Sequence, residues 1–196
     1  AKAVNMPADN IKRAIQKGTG ELPGVSYEEH TYEGYGPGGV ALFLEVLTDN
    51  KNRTTSEIRH LLTKHGGNMG ESGCVAWMFE QKGLITVEKS KVEEDRLIEL
   101  VLDAGADDVD SEDTEAFEIY TPPSQFYAVQ KALESAGIPM SSAEMSRIPQ
   151  NTVDVTTEKE AEQVLRLMEL IEEHDDVQKV WANFDIPTEL IEKLNR

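Results

Sequence analysis

Two hydrophobic periods alternate along the 196 residues. Val25–Tyr32 and Gly39–Leu47 read as strands. In the second, Val40, Leu42, Leu44 and Val46 alternate with Ala41, Phe43, Glu45 and Leu47. Only Glu45 is charged, so the pattern predicts a central strand covered on both faces. A helical period then takes over, and a helix over Arg53–His65 turns Ile58, Leu61 and Leu62 inward, with His65 near the same side. Arg53, Glu57, Arg59, His60 and Lys64 fall outward or on the flanks. Asn50 or Thr54 is placed to cap the helix start. Gly66 and Gly67 end it, and the apolar run Cys74–Phe79 predicts another strand.

Residues 84–148 repeat the alternation as a complete unit. Leu84–Val87, Asp108–Asp110, Ala116–Tyr120 and Ser142–Arg147 read as strands. Glu93–Ala104 and Ser124–Ala136 read as helices, with Leu97, Ile98, Val101 and Leu102 inward in one and Phe126, Val129, Ala132 and Leu133 in the other. The order βαββαβ is that of a ferredoxin-like sandwich. A strand at Thr152–Val155, a helix at Glu158–Glu173, a strand at Val177–Phe184 and a short helix at Pro187–Leu194 follow. This last piece cannot close a core alone. Combined with the strands and helix before residue 82 it can, which predicts a ferredoxin-like domain at 83–149 inserted into a discontinuous α/β domain made of 23–82 and 150–196. Residues 1–22 are then a separate helical piece and linker, with Asn5 as cap, Pro7 in the first turn, an Ile11, Ala14, Ile15 stripe and Gly18 as stop. Because the chain opens on Ala1 inside a helical pattern, a truncated or processed N-terminus is expected.

Charge changes this picture. The net charge is −18, which by itself argues against nucleic acid. Residues 1–82 hold 9 Lys and Arg against 10 Asp and Glu, whereas residues 83–196 hold 10 against 27. The excess acid therefore sits in the second part, and a nucleic-acid face on the first part is electrostatically open. The single Cys74 and the lack of a signal-peptide pattern or an apolar run of about 20 residues predict a reduced, cytoplasmic protein without a membrane partner.

The run of motifs is specific. GYGPGG, then TDNKNRT, then EIRH, then GGN-x-G-x-x-G-x-VA-x-x-F occur in this order between Gly34 and Phe79. In these the chain resembles the YebC family of bacterial proteins, labelled transcriptional regulators, with a mitochondrial relative that activates translation of a cytochrome oxidase subunit. The resemblance covers nearly the whole chain. It implies an α+β fold of three lobes: the remnant of an N-terminal helical domain plus two α/β sandwich lobes, the third lobe inserted in the second. It also implies that the family's strongly basic N-terminal beginning is absent here. Family members act as DNA-binding regulators or in translation on the ribosome, helping it through difficult stretches such as proline runs, and neither role involves a known catalytic residue.

Candidate chemistry is thin. GYGPGG lacks the Gly-Lys-Ser/Thr ending of a P-loop and precedes a strand, so it is neither that phosphate cradle nor a dinucleotide fingerprint. Cys74 with His60 or His65 lacks an orienting partner. The acidic run at 107–113 has Asp113 where a calcium loop needs glycine. No Cys/His set has zinc spacing. Trp77 and Trp181 lie in strand patterns and are expected in cores or lobe contacts. No enzymatic activity, small-molecule substrate or cofactor is therefore expected.

What remains is a basic corner and helix beside a glycine- and tyrosine-rich turn. Lys51, Asn52, Arg53, Arg59, His60 and Lys64 are expected to meet nucleic acid through phosphate and sugar contacts, aided by the anion-binding start of their helix. Lys12, Arg13 and Lys17 form a second basic face. Tyr32 and Tyr35, beside the exposed backbone at Gly36, are expected to stack on bases or sugars. The partner expected is RNA on the ribosome, rRNA or tRNA. Promoter DNA is the alternative, and a protein-interaction module with acidic lobes a weaker one. The oligomeric state stays open.

Overall fold

The computed structural model describes residues 26–194. The expected N-terminal helix, with Lys12, Arg13 and Lys17, lies outside them. The described chain divides into two compact units, 26–77 with 151–194, and 78–150.

The first unit opens with β1 (Glu28–Tyr35), β2 (Ala41–Thr48), α1 (Lys51–Lys64) and the short β3 (Asn68–Met69). The turn between β1 and β2 closes with Gly36 N–H donating to the Val40 carbonyl at 2.7 Å. Gly38 and Gly39 take φ of +70° and +80° there, which side chains rarely adopt. Asn50 caps α1, its side chain accepting from the Arg53 N–H at 3.1 Å. Gly66, at φ +82°, ends the helix in a Schellman turn, with Gly67 N–H donating to the Leu62 carbonyl at 2.8 Å.

The second unit contains β4 (Phe79–Glu88), α2 (Glu94–Asp103), β5 (Asp108–Asp110), β6 (Ala116–Thr121), α3 (Phe126–Ser135) and β7 (Ser142–Pro149). Its antiparallel sheet runs β5-β6-β4-β7. With one helix after β4 and one after β6, this is the ferredoxin-like order. Ile85, Val87, Phe117 and Ile119 from the sheet pack on Leu97, Val101, Val129 and Leu133 from the helices.

The chain then returns to the first unit through β8 (Val153–Asp154), α4 (Glu158–Glu172), β9 (Val177–Ala182), β10 (Phe184–Asp185) and α5 (Thr188–Leu194). The sheet becomes β3-β1-β2-β9. Leu42, Leu44 and Val46 on one face of β2 pack with Ile58 and Leu62 of α1 and Val164, Leu167 and Ile171 of α4. The opposite positions Ala41 and Phe43 are buried too, so β2 is central and covered on both faces.

Two expected strands differ. Cys74–Phe79 is not a strand: turns and a short 3-10 helix at Ala76–Met78 precede β4, which starts at Phe79. The amides of Gly73, Val75 and Ala76 are claimed by the Glu33 carboxylate rather than by a neighbouring strand. Trp77, expected in a core, is consequently exposed, at 64%. The run Val177–Phe184 breaks at buried Asn183. Its side-chain oxygen accepts from the Ala41 N–H at 2.7 Å and its amide donates to the Asn151 carbonyl at 3.1 Å. Phe184 and Asp185 then pair in parallel with β8.

Candidate nucleic-acid interface

In the basic corner between β2 and α1, Arg53 is paired with the protein's own carboxylates. The Arg53 guanidinium donates to Asp176 at 2.8 Å and reaches Asp49 at 3.0 Å. Thr54 and Thr48 hydroxyls lie 2.5 Å and 3.1 Å from the same Asp176 carboxylate. Burial pushes the Asp176 carboxyl up, but hydrogen bonds from Thr54, Arg53 and Thr48 and the Arg53 charge outweigh it and hold it below the ordinary value of 3.8. The hydrogen bond to Asp176 is also the largest cause that raises Arg53 above its ordinary range. Arg53 therefore bridges the start of α1 to the turn before β9, while its side chain stays 42% exposed.

Tyr32 and Gly36 are also structural. Tyr32 is 9% exposed and belongs to the main core, and its hydroxyl is 2.7 Å from Thr55 Oγ1. It has no face to offer a base. Gly36 is buried, and a Cβ there would stand 3.3 Å from Leu167 Cδ2. Tyr35 is half-buried, its hydroxyl donating to the Cys74 carbonyl at 3.3 Å. The alternation along β1 aims Tyr32 at the helices, and pairing with β2 and β3 closes over the glycines.

The outward face of α1 remains. Thr54, Ile58 and Leu62 are buried, while Lys51, Asn52, Ser56, Arg59, His60, Thr63 and Lys64 are exposed. None of Lys51, Arg59, His60 and Lys64 is in an ion pair with a described residue. The one carboxylate of the helix, Glu57, lies 3.2 Å from His174 Nε2 and 3.9 Å from Arg53 Nε. Arg59 lies beside β3, with Nη2 3.9 Å from the Met69 sulfur. This face offers phosphate-binding charge and hydrogen-bonding side chains on a rigid helix.

A family model described as the TACO1/YebC second and third domain matches residues 27–184. The chain belongs to the YebC family. It is 58% identical over 195 residues to a probable transcriptional regulatory protein of Natranaerobius thermophilus, covering 98% of this chain and 77% of that one. A probable transcriptional regulatory protein of Geobacter sulfurreducens is also 58% identical, over 194 residues, with 99% and 77% covered. The crystal structure of a conserved hypothetical protein from Aquifex aeolicus matches with a TM-score of 0.78 at 50% identity, over 95% of this chain and 76% of that one. By the names of these relatives the family is one of regulators of gene expression.

The Cys74 thiol is raised above its ordinary value by burial first and by the Glu33 charge second, which lowers its nucleophilicity at neutral pH. Among the described residues no group of three or more His, Cys, Asp or Glu is placed to hold a metal ion. No helix there is long and apolar enough to cross a membrane.

Sequence reasoning missed one basic feature. A groove of about 500 Å³ between the end of α1 and α4 is lined by Lys64, His65 and Gly66 together with Lys159, Glu162, Gln163 and Arg166. The spacing of Lys159, Gln163 and Arg166 marks one face of α4. Only the packing of α4 beside α1 brings that face next to Lys64.

Proposed function

We propose that this YebC-family protein is a non-enzymatic nucleic-acid-binding regulator of gene expression, acting in translation as a ribosome- and RNA-associated factor that relieves stalling. The observation that supports it most is the outward face of α1. In a chain of net charge −18, Arg59, His60 and Lys64 share one helix face with Asn52, Lys51 is exposed at the helix start, and no described acid pairs with these cations. Arg53 holds the helix in place instead of meeting the ligand, and Tyr32 belongs to the core beneath. Tyr35 supports the neighbouring turn through Cys74.

Helix α1 packs its whole apolar side on β1, β2 and α4, which suits contacts to phosphate and sugar more than deep entry into a DNA groove. RNA recognised by shape and backbone fits such a surface. The names of the relatives favour a second reading, a DNA-binding transcriptional regulator. The two are separated by measuring affinity for ribosomes, single-stranded RNA and promoter DNA at matched salt. The translation reading expects salt-sensitive ribosome and RNA binding that Lys51→Glu/Arg59→Glu abolishes. Tight binding to a defined promoter with no ribosome association would overturn it.

A further inference from the structure

The groove between the end of α1 and α4 lies outside the basic corner and continues the charged face of α1. Lys64 belongs to both. Across the groove, Lys159 and Arg166 stand on one face of α4, two turns apart, with Glu162 and Gln163 between them. All five side chains are exposed. The buried residues of α4, Ala161, Val164, Leu167 and Ile171, face away into the core, so the groove wall is rigid. Helix α4 is otherwise acidic: Glu158, Glu160, Glu162, Glu169 and Glu172 outnumber its two cations. Both of those cations line this groove.

The chemistry is mixed in a specific way. Three cations supply phosphate contacts at Lys64, Lys159 and Arg166. Arg166 also pairs with Glu169 one turn on, which orients its guanidinium and leaves further N–H groups to donate. Glu162 is repulsive to a bare phosphate track. A carboxylate, however, accepts a hydrogen bond from a ribose 2′-hydroxyl, and the Gln163 amide can accept or donate to it. DNA has no such hydroxyl.

We infer that this groove is a second nucleic-acid subsite, one that takes the sugar–phosphate backbone of single-stranded RNA. Lys64, Lys159 and Arg166 hold phosphates, and Glu162 and Gln163 hold the 2′-hydroxyl and so prefer RNA over DNA. The inference rests on the reading of α1 as the primary nucleic-acid face and extends that face past its C-terminus.

The test measures binding of the full chain to a fluorescent single-stranded RNA and to DNA of the same sequence across a salt series. Lys159→Ala/Arg166→Ala is expected to weaken RNA binding and to flatten the log-affinity against log-salt slope by about 1.4, two phosphates at about 0.7 each. Glu162→Ala/Gln163→Ala is expected to shrink the RNA-to-DNA affinity ratio while leaving the slope on DNA unchanged. Circular dichroism melting of both variants at the wild-type midpoint makes a folding defect visible. If the first pair leaves affinity and slope unchanged while Arg59→Glu abolishes binding, the groove inference falls and the α1 reading stands. If the second pair raises affinity for RNA and DNA equally, Glu162 acts by repulsion alone and the 2′-hydroxyl assignment falls. Wild-type protein that binds neither RNA nor ribosomes overturns both.

Discussion

The Arg53 guanidinium donates to the Asp176 carboxylate at 2.8 Å across 123 positions of sequence. This contact joins the start of α1 to the turn before β9, on either side of the inserted unit. Thr48 and Thr54, both buried, add their hydroxyls to the same carboxylate, and the Asp176 carbonyl accepts from the Leu47 N–H at 2.9 Å. Asp176→Ala leaves these donors without their acceptor. Chemical denaturation is expected to show a loss of about 2 kcal/mol, the cost of stranding buried polar groups. An unchanged midpoint would contradict the assigned role.

The same carboxylate sets an acid dependence. Its folded value lies below the ordinary 3.8, so the unfolded chain takes up the proton first as pH falls. The stabilisation is complete above the unfolded value and disappears as pH falls through the folded one, below about pH 4. Stability measured from pH 7 down to pH 3 is expected to fall less steeply in Asp176→Asn than in wild type. Parallel curves would count against the hydrogen bonds that depress the value.

Tyr32 supplies a prediction that separates core from interface. Tyr32→Phe keeps the buried ring and removes the bond to Thr55, costing about 1 kcal/mol. RNA affinity at saturating folded fraction is expected to stay within twofold of wild type. A large loss of affinity with unchanged stability would return Tyr32 to the ligand.

Much of the fold is legible along the chain because its signals are local. The period of Ile58 and Leu62, the Asn50 cap and the Gly66 stop define α1 within a few residues. The alternation of β2 and the order of elements in 79–149 are equally readable. The errors share one cause, which is partners distant in sequence. Glu33 takes the amides of Gly73, Val75 and Ala76, so a strand-like run becomes a turn and Trp77 swings out. Asp176 takes Arg53, so one cation of the basic corner is paired within the protein. Tyr32 looks like a surface tyrosine beside glycines until β1 pairs with β2 and aims it at the helices. Lys159 and Arg166 lie in an acidic helix, and only the neighbouring end of α1 gives them a context. Charge counted along a sequence does not reveal which charges the fold has already paired.

Glu33 tests that point. Its carboxylate is buried and accepts from the amides of Gly73, Val75 and Ala76 at 2.6, 2.8 and 2.8 Å. Glu33→Gln replaces one acceptor oxygen by a donor amide, and stability is expected to drop by about 2 kcal/mol, the scale of charge-assisted hydrogen bonds. Hydrogen exchange is expected to accelerate at residues 73–76 before it does in α1. Protection that stays at the wild-type level in this turn would show that another contact fixes it.

The measurement that bears most directly on function is co-sedimentation with ribosomes at low and high salt, comparing wild type, Lys51→Glu/Arg59→Glu and Asp176→Ala under conditions where each is folded. Wild type is expected to sediment at low salt and to be released at high salt, because phosphate contacts release counterions. The Lys51→Glu/Arg59→Glu protein is expected to stay in the supernatant at both salts, and Asp176→Ala to sediment like wild type. Sedimentation of the charge-reversed protein at the wild-type level would contradict the placement of the interface on α1.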